Sequence, residues 1–109
     1  MSGAKRVDLA FSSKAIRYVC ESDVRARKLF GDQAAASLQA RLADLNAVDN
    51  LEELSWIRVR FGPGTAAIEF HPTLDLVLEP GGTKTPRAED GSINWRAVDR
   101  VRIIKVGHP

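Results

Sequence analysis

Residues 34–78 read AAASLQARLADLNAVDNLEELSWIRVRFGPGTAAIEFHPTLDLVL, and within them the spacing of apolar side chains changes from helical to alternating. Ala34, Leu38, Leu42 and Leu45 recur at three- and four-residue steps, which places them on one helical stripe opposite Gln39 and Asp44. Trp56–Phe61, Ala66–Phe70 and Leu74–Leu78 are short apolar segments separated by Gly62-Pro63-Gly64 and by His71-Pro72, the punctuation of consecutive hairpins. Between the two regimes, Asp49 or Asn50 can start a single helical turn carrying Leu51 and Leu54. Runs of helix followed by runs of strand specify an α+β domain and not a parallel βαβ array.

Upstream, Asp32 is placed to cap the helix just described, and Gly31 to end the one before it. That earlier helix starts at Ser12 or Ser13 and continues through Ile16, Val19, Cys20, Val24, Ala26, Leu29 and Phe30. Before it, Val7, Leu9 and Phe11 alternate with Asp8 and Ala10, predicting a strand over Arg6–Phe11. Downstream, Pro80-Gly81-Gly82 ends the meander and Thr83–Gly91 reads as an exposed loop. Ser92 is placed to cap a short turn with Trp95 and Val98. A last strand then puts Val101, Ile103 and Lys105 on one face and Arg102, Ile104 and Val106 on the other. The expected order is β-α-α-β-β-β-β, a strand and a helical hairpin packed on a mainly antiparallel sheet.

The 109 residues suit one domain spanning 1–109, and 44% apolar with 28% charged residues is ordinary for a globular chain. Cys20 is the only cysteine, so no intrachain disulfide and no cysteine-based zinc site can form, and a reducing compartment is the simplest setting. With no signal-peptide pattern over Met1–Asp8 and no apolar run of membrane length, the expectation is a cytoplasmic protein. A net charge of +2 permits contact with RNA phosphates without arguing for it; any basic face must come from local clustering.

Several residues are candidates for such a face. Arg58 and Arg60 point the same way along a strand, and the pair reads either as a solvated sheet face or as phosphate-binding. Arg100 and Arg102 repeat the pattern on the last strand and could join them if that strand pairs centrally. His71, beside Pro72, is first of all a turn residue. Trp56 and Trp95 could stack bases but sit in apolar segments that favour packing. Tyr18 and the Arg25-Ala26-Arg27-Lys28 run suit a solvated helix face, and Cys20 on the apolar stripe suits a small buried hydrophobe.

Longer patterns carry a family resemblance. Lys14-Ala15-Ile16-Arg17-Tyr18-Val19-Cys20-Glu21 is similar to the "K.LR.LCE" pattern of the RelE/HigB-like killer proteins of bacterial type II toxin–antitoxin systems. Residues 41–54, RLADLNAVDNLEEL, resemble that group's "RLADL.AA.NL.DL". His71–Pro80 resembles "HPNYRLIFEP", and Asp90–Val98 resembles "DGG.DW..V". The resemblance covers nearly the whole chain after Val7.

The resemblance implies a RelE-like fold and a toxin that cuts messenger RNA on the ribosome. In that reaction a ribose 2′-OH attacks the adjacent phosphate, with a base, an acid and cations to hold the phosphorane charge, and with no metal or cofactor. Partners implied are a cognate antitoxin of helix-turn-helix type, the ribosome and mRNA; a homodimer stays open. The group's "LKGD" falls on Arg58-Val59-Arg60-Phe61, so Val59 replaces the lysine, while Arg58 and Arg60 offer substitute charge for catalysis and RNA binding together with Arg100 and Arg102. Leu74 and Asp75 stand where "NYRL" has tyrosine and arginine. Val106-Gly107-His108-Pro109 resembles the terminal "DYH", making His108 the candidate acid or base or, alternatively, an ordinary tail residue. The alternative function is a catalytically degenerate member that acts by binding alone, as a killer-suppression or regulatory protein.

Overall fold

In the computed structural model, which describes residues 7–82 and 84–108, helix boundaries follow from serine, asparagine and glycine chemistry. After strand β1 (Asp8–Phe11), the Ser13 Oγ accepts the Ile16 backbone N–H at 3.1 Å and starts α1 (Lys14–Glu21). Arg6, included in the expected first strand, lies outside the described residues.

The helix expected to run unbroken to Phe30 is two helices. Ser22 is extended (φ −117°, ψ 108°), and α2 (Asp23–Phe30) starts after it. Ser22 serves both ends: its N–H donates to the Tyr18 carbonyl at 2.9 Å and its Oγ accepts the Arg25 N–H at 3.2 Å. A serine followed by Asp23 in the first turn is a strong helix-start signal, and here it overrides the continuous apolar spacing. The break withholds from the Cys20 carbonyl the donor a continuous helix would supply. Gln39 supplies one instead, its Nε2 donating at 3.1 Å.

Helix α3 (Asp32–Ala47) buries Ala34, Ala35, Leu38, Leu42 and Leu45, the stripe legible in the sequence. Its N-cap is Gly31, at φ 89°, and not Asp32; Asp32 lies in the first turn, where a carboxylate faces the positive end of the helix dipole. Asn50 then caps a 3₁₀ turn over Leu51–Glu53, its Oδ1 accepting the Glu52 N–H at 2.9 Å.

The remaining strands are β2 (Val59–Phe61), β3 (Ala66–His71), β4 (Leu74–Pro80) and β5 (Arg100–Gly107), in the sheet order β1-β5-β4-β3-β2. All neighbours are antiparallel except β1 and β5, which are parallel. The fold is α+β with a mainly antiparallel sheet, and its order is β-α-α-α-β-β-β-β. Leu38 and Leu45 of α3 and Ile68, Leu76, Leu78, Val101 and Ile103 of the strands are fully buried and form the centre of one core.

The segment between β4 and β5 adds Ile93, Trp95 and Val98 to that core beside Leu51 and Leu54. Trp95 is buried, as its apolar setting predicts, whereas Trp56 is 57% exposed because β2 begins only at Val59. Ser92 does not cap the following 3₁₀ turn (Trp95–Ala97). Its N–H and Oγ–H both donate to Asp90 Oδ1, at 3.0 and 2.6 Å. These bonds from Ser92 hold the Asp90 carboxyl below its ordinary range. No described helix is long and apolar enough to cross a membrane.

Candidate functional site

The sheet has a helix-covered face, carrying Val101, Ile103, Leu76, Leu78, Ala66 and Ile68, and an opposite open face. Alternation assigns the residues between them to the open face. On β5 these include Arg100 and Arg102, opposite Asp8 and Ala10 of β1. On β4 they are Asp75, Val77 and Glu79; on β3, Ala67 and Glu69; and on β2, Arg60 opposite Ala67.

A bulge changes one assignment made from sequence. Val77 pairs with Lys105 and Leu78 with Ile103, so Ile104 is the extra residue on β5. Beyond it the faces exchange. Lys105 joins the open face with Val77, and Val106, opposite Leu76, packs against the core. Lys105 therefore does not share a face with Val101 and Ile103.

The central position of β5 would let Arg100 and Arg102 meet Arg58 and Arg60 only across β4 and β3. Three strand spacings, roughly 14 Å, separate β5 from β2. An acidic stripe of Glu69, Asp75 and Glu79 fills that interval. Arg60 Nη2 donates to Asp75 Oδ2, Arg102 donates through Nε and Nη2 to Glu79 Oε2, and Arg100 Nη2 lies 3.5 Å from Asp8 Oδ2. The open face therefore holds Arg60, Arg100, Arg102 and Lys105 against Asp8, Glu69, Asp75 and Glu79, an even balance. The arginines do not form the single basic patch that their sequence pattern suggests. Arg58, exposed ahead of β2, and Lys105 have no ion-pair partner among the described residues.

Asp75 is the centre of this arrangement. Its residue is 3% exposed, the only buried charged residue among those described, while the Arg60 side chain that pairs with it is 56% exposed. Directly opposite Asp75 stand Glu69 on β3 and Gly107 on β5. Two carboxylates facing each other repel, and the Arg60 guanidinium offsets that repulsion. No sequence pattern marked Asp75 as an ion-pair anchor; the signal available was an acidic residue inside an otherwise apolar strand.

His108 follows Gly107 and so lies just past the Asp75 pairing, exposed, at the end of the sheet where His71 closes β3 opposite Leu74. The two histidines thus flank the start of β4. His71 is half-buried in the hairpin whose loop is Pro72-Thr73, in keeping with a turn role. The imidazoles of His71 and His108, the Arg60 guanidinium and the buried Asp75 carboxylate are brought to one end of the sheet, and Arg100 and Arg102 are not.

Searches against protein-family models, curated proteins and solved structures return no match to this chain.

Proposed function

We propose that the chain is a RelE/HigB-like component of a bacterial type II toxin–antitoxin system, cytoplasmic, and that it acts by binding, with the ribonuclease chemistry of that group suppressed. The observation that carries the second half is the Arg60–Asp75 pair. In-line attack of a 2′-OH on phosphate needs cations free to hold charge on the phosphorane. Here an acidic residue occupies the position at which the resemblance expects arginine, and it engages the nearest remaining guanidinium. Phosphate approaching Arg60 must displace or tolerate the Asp75 carboxylate, and it meets Glu69 beside it.

The partner expected on this reading is a cognate antitoxin of helix-turn-helix type, encoded beside the chain. A ribosome-dependent cleavage assay with the protein made free of that partner tests the proposal, and intact transcripts are expected. Asp75→Asn, which releases Arg60 without inserting a bulky cation into a buried position, is expected to raise cleavage or RNA affinity above wild type. Efficient cutting by wild type, abolished in His108→Ala, would overturn the binding-only reading. It would favour the active ribonuclease, whose motivating feature is the exposed imidazole of His108 next to the Asp75 register.

A further inference from the structure

The open face of the sheet is even in charge, so the surplus of +2 is displayed elsewhere. Residues 14–30, which make up α1, Ser22 and α2, carry five Lys and Arg against Glu21 and Asp23, a surplus of three; all other residues carry eleven against twelve. The helix pair therefore holds the positive surplus. Its two carboxylates are engaged within their own helices, Glu21 at 3.8 Å from Arg17 and Asp23 at 3.0 Å from Arg27. Lys14, Arg25 and Lys28 are exposed and have no ion-pair partner among the described residues.

Apolar exposure coincides with that charge. Of the five large apolar side chains exposed among the described residues, three are here: Tyr18 at 58%, Val24 at 56% and Leu29 at 48%. Around α2, Ala26 and Phe30 face inward, Ala26 fully buried and Phe30 edge-on to Phe70 with ring centroids 5.7 Å apart. Helical spacing then places Val24, Arg25 and Lys28 on the outward side, with Leu29 next to Arg25. Arg25 reaches the Tyr18 ring, 5.8 Å from its centroid, and Lys14 lies one turn before Tyr18 on α1. Three cations and three apolar side chains thus share one outward surface. Asp32, the next carboxylate along the chain, belongs to α3, beyond the turn at Gly31.

We propose that this surface of α1 and α2 is a peripheral membrane site, which rests on a bilayer leaflet containing anionic phospholipid. Headgroup phosphates take Lys14, Arg25 and Lys28, while Tyr18, Val24 and Leu29 enter the boundary between headgroups and acyl chains. Charge complementarity makes the partner an anion, and the two aliphatic side chains select a bilayer among polyanions. RNA pairs with the cations and can stack a base on Tyr18, but it offers Val24 and Leu29 no apolar layer. A single patch of this size gives a reversible, salt-sensitive attachment. The inference is independent of the toxin–antitoxin reading, since none of the six residues belongs to the open sheet face.

Co-sedimentation of the whole chain with vesicles tests it, phosphatidylcholine alone against an equal mixture of phosphatidylcholine and phosphatidylglycerol. Binding to the mixed vesicles only is expected, falling as salt is raised. Arg25→Gln and Lys28→Gln are each expected to weaken it about fivefold, the worth of one cation near an anionic leaflet. Lys84→Gln, which removes an exposed cation between β4 and β5, is expected to change nothing. The double variant V24S/L29S keeps every charge. It is expected to weaken vesicle binding about tenfold through lost apolar burial, while eluting from heparin at the same salt as wild type. All these positions are exposed, and far-UV circular dichroism is expected to be unchanged.

Wild type that stays in the supernatant with the mixed vesicles at low salt, or that binds phosphatidylcholine equally well, overturns the inference. A loss in Lys84→Gln equal to that in Lys28→Gln also overturns it, because attraction would then be undirected. Vesicle binding untouched by V24S/L29S overturns it too, and leaves the patch to a soluble polyanion such as RNA.

Discussion

At the scale of single residues, buried or strained positions give the sharpest expectations. Arg60→Ala strands the Asp75 carboxylate in a site where its residue is 3% exposed and faces Glu69. A loss of about 1–3 kcal/mol is expected in denaturant unfolding, discounted from the fully buried case because Arg60 itself is half-exposed. Thr73 is the one described non-glycine residue at positive φ, 66°, at the second position of the Pro72-Thr73 loop. A β-branched side chain is poorly suited there, where asparagine and glycine are preferred. Thr73→Asn is expected to stabilise the protein by about 1 kcal/mol, read as a raised urea midpoint at unchanged slope. Burial, followed by the nearby Glu21 charge, pushes the Cys20 thiol up from 9.0 to about 11. The unfolded chain thus ionises first, so this group removes stability as pH rises from 9.0 through about 11 and contributes no such loss below that window. Alkylation of Cys20 near neutral pH is expected to proceed only as fast as the protein opens; rapid labelling of the native state would contradict this.

At the scale of elements, the α1–α2 break depends on one hydroxyl. Ser22→Ala removes the bond to the Arg25 N–H and is expected to cost about 1 kcal/mol, whereas a substitution at exposed Ala36 should cost far less. The same serine shows what the sequence made legible and what it concealed. Apolar spacing from Ile16 to Phe30 matched one helix, yet of that stripe Cys20 and Ala26 are buried while Val24 and Leu29 are exposed; only the Ser22-Asp23 pair carried the contrary signal. On α3, by contrast, the 41–54 stretch is legible throughout as structure. Leu42, Leu45, Leu51 and Leu54 are buried, Arg41 Nε pairs with Asp44 Oδ2 at 2.8 Å, Asn50 caps the turn, and Glu53 Oε1 accepts the Asp49 N–H at 3.0 Å. Asp90–Val98 is likewise a turn and packing pattern, through the Asp90–Ser92 bonds and buried Ile93, Trp95 and Val98. The motifs that carried the resemblance therefore specify packing and caps. The candidate site was far less legible, because the partners that neutralise Arg60, Arg100 and Arg102 come from other strands: Asp75 and Glu79 on β4, whose register with each neighbour shifts at a bulge, and Asp8 on β1.

At the scale of the whole molecule, charge is laid out so that the open sheet face is nearly neutral, and the overall +2 is not displayed there as a patch. If only Arg58 and Lys105 meet phosphates, binding to single-stranded RNA should weaken with salt along a log–log slope of about −1.4. A much steeper slope would mean that the Arg60, Arg100 and Arg102 ion pairs yield to phosphate. The parallel pairing of β1 with β5 has a further consequence, one of timing. Asp8 finds its partner in Arg100, so during synthesis β1 waits while the ribosome extends the chain by the 92 residues from 8 to 100. At translation speeds of about 5–20 residues per second that interval is roughly 5–18 s. Until β5 arrives to fill the middle of the sheet, β1 and β4 each present a bare side of backbone donors and acceptors, so the nascent protein is open to capture before the finished one exists.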